Sequence, residues 1–508
     1  MLDLFGEDDN NMERQAGVLL HITSLPSKYG VGTLGKESYK FVDFLSKSNI
    51  KIWQVLPLVA TNYGDSPYQS VSSTSLNYYL IDFDILKDKG LLNIDDYKDI
   101  KWFYDEHRTD YSILFNEKVK VLKIAFNNFM KNNLNYKELL NNDEFNDFAL
   151  FMTIKELHNY VSWDNWDSKY LHYSILLENE VINNFNDNYY FWKWTQFEFM
   201  SEWNSLHEYA KKHNIDIMGD MPLYVAYDSV EVWKHPELFE LDENLKPINV
   251  AGCPPDYFCE DGQLWGNPVY NWEYHKETNY SWWNKRIESL FNLFDIVRID
   301  HFRGFADYYT IPYGNENARI GEWKQGPRMD FFKDKLDLNI VAEDLGFIDE
   351  PVRELVKETN YPGMKVLEFA FDNNPYNEHK ASNVSENFIM YTGTHDNMPI
   401  YQFILDLNNE QLKYYKKDVK EECKKLNIDI DLRCNKKELV NKIVELAFAS
   451  KANTCIIPMQ DLLCKDGYSR MNFPSTVSTD NWSYRLDKND INNELAKRLK
   501  KLVKKYNR

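Results

Sequence analysis

Eight short apolar runs set the strongest limit on how this chain folds. They lie at residues 16–22, 52–58, 215–218, 296–299, 340–342, 364–369, 388–391 and 454–458, and most end in polar or charged residues. Continuous Val/Ile/Leu runs, in place of strict alternation, suit parallel strands covered on both faces. Helical patterns lie between them. Eight such strands with helical connections predict an α/β fold, a (β/α)8 TIM barrel.

The runs are unevenly spaced. The gaps after the second and third exceed a simple crossover, so both are expected to hold insertions. The first, 84–212, reads as a helical insertion: within 111–130 the apolar positions are Leu114, Val119, Leu122, Ile124, Ala125 and Phe129, and 145–157 and 189–209 follow similar spacing. The second, 223–290, is rich in Pro, Gly and Trp and reads as loop-rich. Asn435 is placed to cap a helix, with Glu438 at the reciprocal position. Ile491, Leu495, Leu499 and Leu502 share one helical face. No strand-rich domain is read after the eighth run. One domain per ~150 residues would divide the chain into three. The barrel reading gives one catalytic unit, 1–508, with two insertion subdomains.

Composition excludes several classes. A net charge of −20 argues against nucleic acid or anionic membrane as a partner. No apolar run approaches the ~20 residues of a membrane span. The N-terminus lacks the basic and apolar regions of a signal peptide. The six cysteines form no C-x-x-C pair, so free thiols in a reducing cytosol are expected. Monomer and homodimer both stay open.

Gly30-Val31-Gly32-Thr33-Leu34-Gly35-Lys36 matches two phosphate-loop patterns. Both fail on context. Glu37 stands where a Walker A loop needs Ser or Thr, and seven residues separate the first strand run from Gly30. A plain Gly-rich βα loop is the better reading.

The chemistry points to acids at strand ends. Asp220 ends the third run, Asp300 the fourth, Glu343 and Asp344 the fifth, and Asp396 follows the seventh. Two have a His neighbour, His301 and His395. One such acid is commonly a helix cap or a loop ion pair. Four strands in register would crowd their acids around one bowl, where barrel active sites sit. Retaining glycosidic cleavage needs two carboxyl groups ~5–5.5 Å apart, one nucleophile and one acid/base. Arg298 lies two residues before Asp300, so strand alternation puts both on one side. A cation there favours an ionised nucleophile. Glu343 follows Val341 and Ala342, a setting that suits a general acid. Loops mixing aromatics with Asp, Asn and Gln, such as 65–70 and 252–268, suit sugar faces and hydroxyls, although single aromatics in loops are as often packing residues.

Together these segments resemble the amylomaltase family, the 4-alpha-glucanotransferases or disproportionating enzymes of the wider α-amylase clan. The matching stretches are 17–21 with 24–27, 64–69, 219–222 with Asp228-Ser229, 254–258, 262–268, 298–304, 342–346, 394–397 and 471–474. They occur in the family's order over residues ~16–485. The same resemblance partly guides the choice of all eight runs. It implies a retaining α-1,4-glucan transferase on a barrel, acting on malto-oligosaccharides, amylose, or glycogen and starch fragments. Asp300 resembles the family's nucleophile, Glu343 its acid/base and Asp396 its third carboxylate. Arg298, His395 and Asp220 match supporting residues. Ser66, Tyr68, Asp256, Gln263 and Trp265 match glucan-contacting positions, and His301 and Asn472 belong to the same motifs. The 256–265 stretch resembles a mobile loop over the acceptor side. The resemblance implies no metal and no organic cofactor.

Three places depart from the family's pattern. Met398-Pro399 follow the Thr-His-Asp-Asn motif where Asp-Thr is usual. Ser475 and Asp480 each replace a usual Gly. None removes a carboxylate, but all bear on subsite shape. Alternatives stay open: an α-glucan hydrolase of the same clan, a non-catalytic glucan-binding protein, and a nucleotide-dependent enzyme.

Overall fold

The computed structural model describes residues 14–62, 64–255, 260–346 and 348–508. Eight parallel strands form one sheet: β1 Gln15–Leu19, β2 Ile52–Gln54, β3 Asp216–Met221, β4 Ile296–Ile299, β5 Ile340–Ala342, β6 Gly363–Val366, β7 Phe388–Tyr391 and β8 Thr454–Pro458. Each lies on one of the eight apolar runs. Their order is β6-β7-β8-β1-β2-β3-β4-β5, so chain order is spatial order around a (β/α)8 barrel. The ring closes between β5 and β6. There Ala342 N–H donates to the Pro362 carbonyl at 2.9 Å, and Met364 N–H donates to the Asp344 carboxylate at 2.6 Å.

Between β2 and β3 lie the helices Val119–Asn132, Asn146–Leu157, Ile175–Asn184 and Asn186–Lys212, the first preceded by a π-helical turn, Leu114–Lys118. Their aromatics are core: Trp192, Trp194 and Trp203 are fully buried. The segment after β3 differs from its loop-rich expectation. It contains strands Asn249–Cys253 and Gln263–Pro268. With Asp307–Pro312 and Glu322–Gln325, which follow β4, they form a four-stranded antiparallel sheet. The reason is nonlocal pairing. These short strands contain Gly, Pro and Asn, and Asn249–Cys253 is ordered by Asp307–Pro312, 57–63 residues further along the chain. Gly252 permits the tight pairing, because a Cβ there would sit 2.2 Å from the Gln263 carbonyl oxygen.

The Gly30–Lys36 segment leads into helix Lys36–Lys47. A Cβ on Gly35 would lie 2.1 Å from an Asp82 carboxylate oxygen, so the protein's own anion occupies that corner. Asn435 and Glu438 form the reciprocal cap of helix Lys436–Ala449. The last helix, Asn493–Tyr506, buries Leu495, Leu499 and Val503. Among the described residues, no helix is long and apolar enough to cross a membrane.

Candidate active site

Parallel strands bring their carboxyl ends to one rim. In the β3–β4 register, Asp220 stands beside Arg298. Arg298 Nη1 donates to both Asp220 oxygens at 2.8 and 2.7 Å, and Nη2 donates to Asp300 Oδ1 at 3.0 Å. Arg298 and Asp220 are almost fully buried, 4% and 1% exposed, whereas the Asp300 side chain keeps 29% of its surface. One buried cation therefore orients the half-open carboxylate.

Glu343 follows β5. Its Oε2 accepts from His301 N–H at 2.7 Å and its Oε1 from Leu345 N–H at 2.9 Å. The first bond needs unusual backbone. His301 has φ 51°, the left-handed region that L residues rarely adopt. The His301 ring meets the Trp265 indole edge-on, with centroids 4.9 Å apart. Gln263 Oε1 in turn accepts from Trp265 Nε1–H at 3.1 Å.

Asp396 sits on the loop after β7, with its side chain 45% exposed. Its Oδ1 accepts from Asn472 Nδ2–H at 2.6 Å and lies 3.4 Å from His395 Nε2. The Tyr68 hydroxyl donates to Asp220 Oδ2 at 2.5 Å, while its ring stacks on His395. Ser66 Oγ accepts from Tyr68 N–H at 3.2 Å and shapes that loop.

Burial pushes Asp300 well above the ordinary carboxylate range; Arg298 opposes this, and Asp220, Glu343 and Asp396 add to it. Burial also raises Glu343, against Arg298 and the two backbone N–H groups. Arg298 thus pulls Asp300 toward the ionised form, as its position before Asp300 implies, but burial and carboxylate crowding outweigh it. Several carboxyl groups around one guanidinium retain a proton as a set. Burial depresses His301 to about 3, with Arg303 contributing. Burial likewise lowers His395, with Asp396 opposing.

The structure thus gathers Asp220, Arg298, Asp300, Glu343, Asp396, His301, His395, Tyr68 and Asn472 at one rim, with Gln263 and Trp265 reaching it through His301. Asp256 lies outside the described residues. Asp344, though a strand-end acid, belongs to the β5–β6 closure and not to the bowl, because neighbouring residues at a strand end point to opposite faces. Sequence reasoning missed three contributors. Trp482 packs against both Tyr68 and His395, with centroids 5.6 and 5.9 Å away. Gln54 Oε1 accepts from the Tyr391 hydroxyl at 2.8 Å inside the barrel. Arg470 N–H groups bind the main chain of Asp396 and Asn472. Each joins chain segments far apart in sequence, so no local spacing signals it.

A closed parallel barrel that gathers carboxylates around a buried guanidinium at its rim has the arrangement of an enzyme site. A family model described as 4-alpha-glucanotransferase matches residues 20–490. A Clostridium butyricum 4-alpha-glucanotransferase is 42% identical over 501 residues, covering 96% of this chain and 100% of that one. An Aquifex aeolicus 4-alpha-glucanotransferase is 40% identical, with 93% and 95% covered. The Streptococcus agalactiae amylomaltase, solved in complex with acarbose, superposes with a TM-score of 0.92 at 40% identity, over 98% of this chain and all of that one. The chain belongs to the 4-alpha-glucanotransferase family, a family of hexosyltransferases.

Proposed function

We propose that this chain transfers α-1,4-glucan segments from a donor malto-oligosaccharide to the 4-hydroxyl of an acceptor glucan or glucose. The reaction is a retaining double displacement. Asp300 attacks the anomeric carbon while Glu343 protonates the departing glycosidic oxygen. The glucosyl-enzyme is then opened by the acceptor 4-hydroxyl, whose proton returns to Glu343. Asp396 binds sugar hydroxyls and steadies the distorted ring. Trp265 and Gln263 cover the acceptor side and disfavour water.

The observation that carries this reading is Arg298, which bridges Asp220 and Asp300 while Glu343 is held by two backbone N–H groups. Burial raises both carboxyls and Arg298 opposes the rise in each, but of the two it hydrogen-bonds only Asp300, so the proton that the set retains falls to Glu343. The acarbose bound by the Streptococcus agalactiae relative supports an α-glucan substrate. The chemistry requires no metal or organic cofactor. Buried Cys423 and Cys455 thiols fit a reducing cytosol.

Maltotriose as sole substrate tests the reading. Transfer yields glucose and longer glucans while total reducing ends stay constant. A reducing end gained for each bond cleaved would establish hydrolysis instead. Asp300→Asn is expected to abolish turnover.

A further inference from the structure

The loop that presents Asp396 is anchored firmly at its ends. Asp461 Oδ2 accepts from the Thr392 hydroxyl at 2.6 Å, and its Oδ1 accepts from Ile400 N–H at 2.9 Å. Between those anchors, Asn397 Oδ1 accepts from Thr394 N–H at 2.8 Å, a bond within the loop. The half-exposed Asp396 needs support from another element.

That support comes from the segment after β8. Arg470 Nη2–H donates to the Asp396 carbonyl at 2.6 Å, and Arg470 Nε–H donates to the Asn472 carbonyl at 2.7 Å. Asn472 returns two bonds, from Nδ2 to Asp396 Oδ1 at 2.6 Å and from its backbone N–H to the His395 carbonyl at 3.2 Å. The guanidinium lies over the Phe473 ring at 4.6 Å. Its charge loses solvation on burial, and Glu368 and Asp396 offset that loss.

We propose that Arg470 is a positioning residue for the transfer reaction: its planar fork holds the Asp396 and Asn472 main chains at one separation, so that the third carboxylate and the amide that orients it act as a unit. The proposal rests on the reading of Asp396 as the third carboxylate. Arg470 acts through Asp396 and not on the sugar. A guanidinium suits the task because it directs several N–H groups in one plane, which an ammonium cannot do.

The test compares Arg470→Gln, Arg470→Lys, Asp396→Asn and the Arg470→Gln/Asp396→Asn double variant in maltotriose disproportionation, with melting temperatures recorded alongside. Misplacement of a reacting group by about 1 Å lowers rate by ~100-fold. Arg470→Gln is therefore expected to lower kcat by about 10–100-fold, within that limit, with little change in KM. The double variant is expected to be no slower than Asp396→Asn alone, because the clamp has nothing left to position. Arg470→Lys keeps the charge and is expected to fold and still lose kcat. A multiplicative loss in the double variant would overturn the proposal. So would native kcat in Arg470→Lys, which would reduce the residue to charge balance. Full activity in Asp396→Asn would overturn it by removing the role of Asp396 itself.

Discussion

The Tyr68 ring lies nearly parallel to the His395 imidazole, centroids 5.1 Å apart at 13°, while its hydroxyl donates to Asp220. One side chain from the loop after β2 thus reaches β3 at its tip and the loop after β7 with its face. It spans the rim independently of the chain's path around the barrel.

Removing the tip alone separates the two contacts. Tyr68→Phe keeps the stack and deletes a donor to a buried carboxylate, so a stability loss of about 1.5–3 kcal/mol is expected. Tyr68→Ala also loses the ring and is expected to fall further, by at least about 0.5–1.5 kcal/mol. Urea midpoints measure both, and equal losses would show that the stack contributes nothing.

Arg298 carries both stability and pH dependence. Arg298→Met leaves Asp220 buried without its cation, which is expected to cost about 3–5 kcal/mol. Arg298 pulls Asp300 and Glu343 downward, so its removal lets both rise. As the proposed nucleophile, Asp300 must be ionised to react. The acidic limb of kcat/KM is therefore expected to move to higher pH in the folded fraction. A limb that stays in place would assign it to a group away from Arg298.

Glu368 should weaken the fold as pH rises. Burial lifts its carboxyl to about 8, with Asp461 adding and with Arg470 and an Asn397 side-chain hydrogen bond opposing. The folded state thus holds this proton more tightly than the unfolded chain. Between the ordinary carboxylate value and about 8, rising pH favours unfolding. Glu368→Gln is expected to match the native stability at pH 4 and exceed it increasingly toward pH 8, by at most about 1.4 kcal/mol per pH unit. A difference independent of pH would contradict the assignment.

Ser475 stands at φ 61° on the surface. Left-handed backbone is unfavourable for an L residue, and glycine avoids most of that penalty. Ser475→Gly is expected to stabilise by about 0.5–1 kcal/mol. Thermal unfolding measures this, and a lower melting temperature would show that the Ser475 side chain contributes more than its backbone strain removes.

What was legible in the sequence follows from the range of each interaction. The eight strands, chosen partly through the family resemblance, and the strand-end acids Asp220, Asp300 and Glu343 follow a local pattern, a buried run followed by a polar residue. The antiparallel sheet of Asn249–Cys253 and Gln263–Pro268 was not legible, because its order comes from residues 307–325. Asp344 looked equivalent to Glu343 until the pleat sent it to the other face. Trp482, Arg470 and Gln54 act through partners that only the closed barrel supplies.

The β5–β6 closure gives the barrel a latch. Its other neighbouring strands share ladders, whereas Ala342 and Met364 rest on one carbonyl and one side chain. Those two amides should be among the first in the barrel wall to exchange with deuterium. Glu343 is the next residue after Ala342, so early exchange at Ala342 is expected one residue from the proposed proton donor.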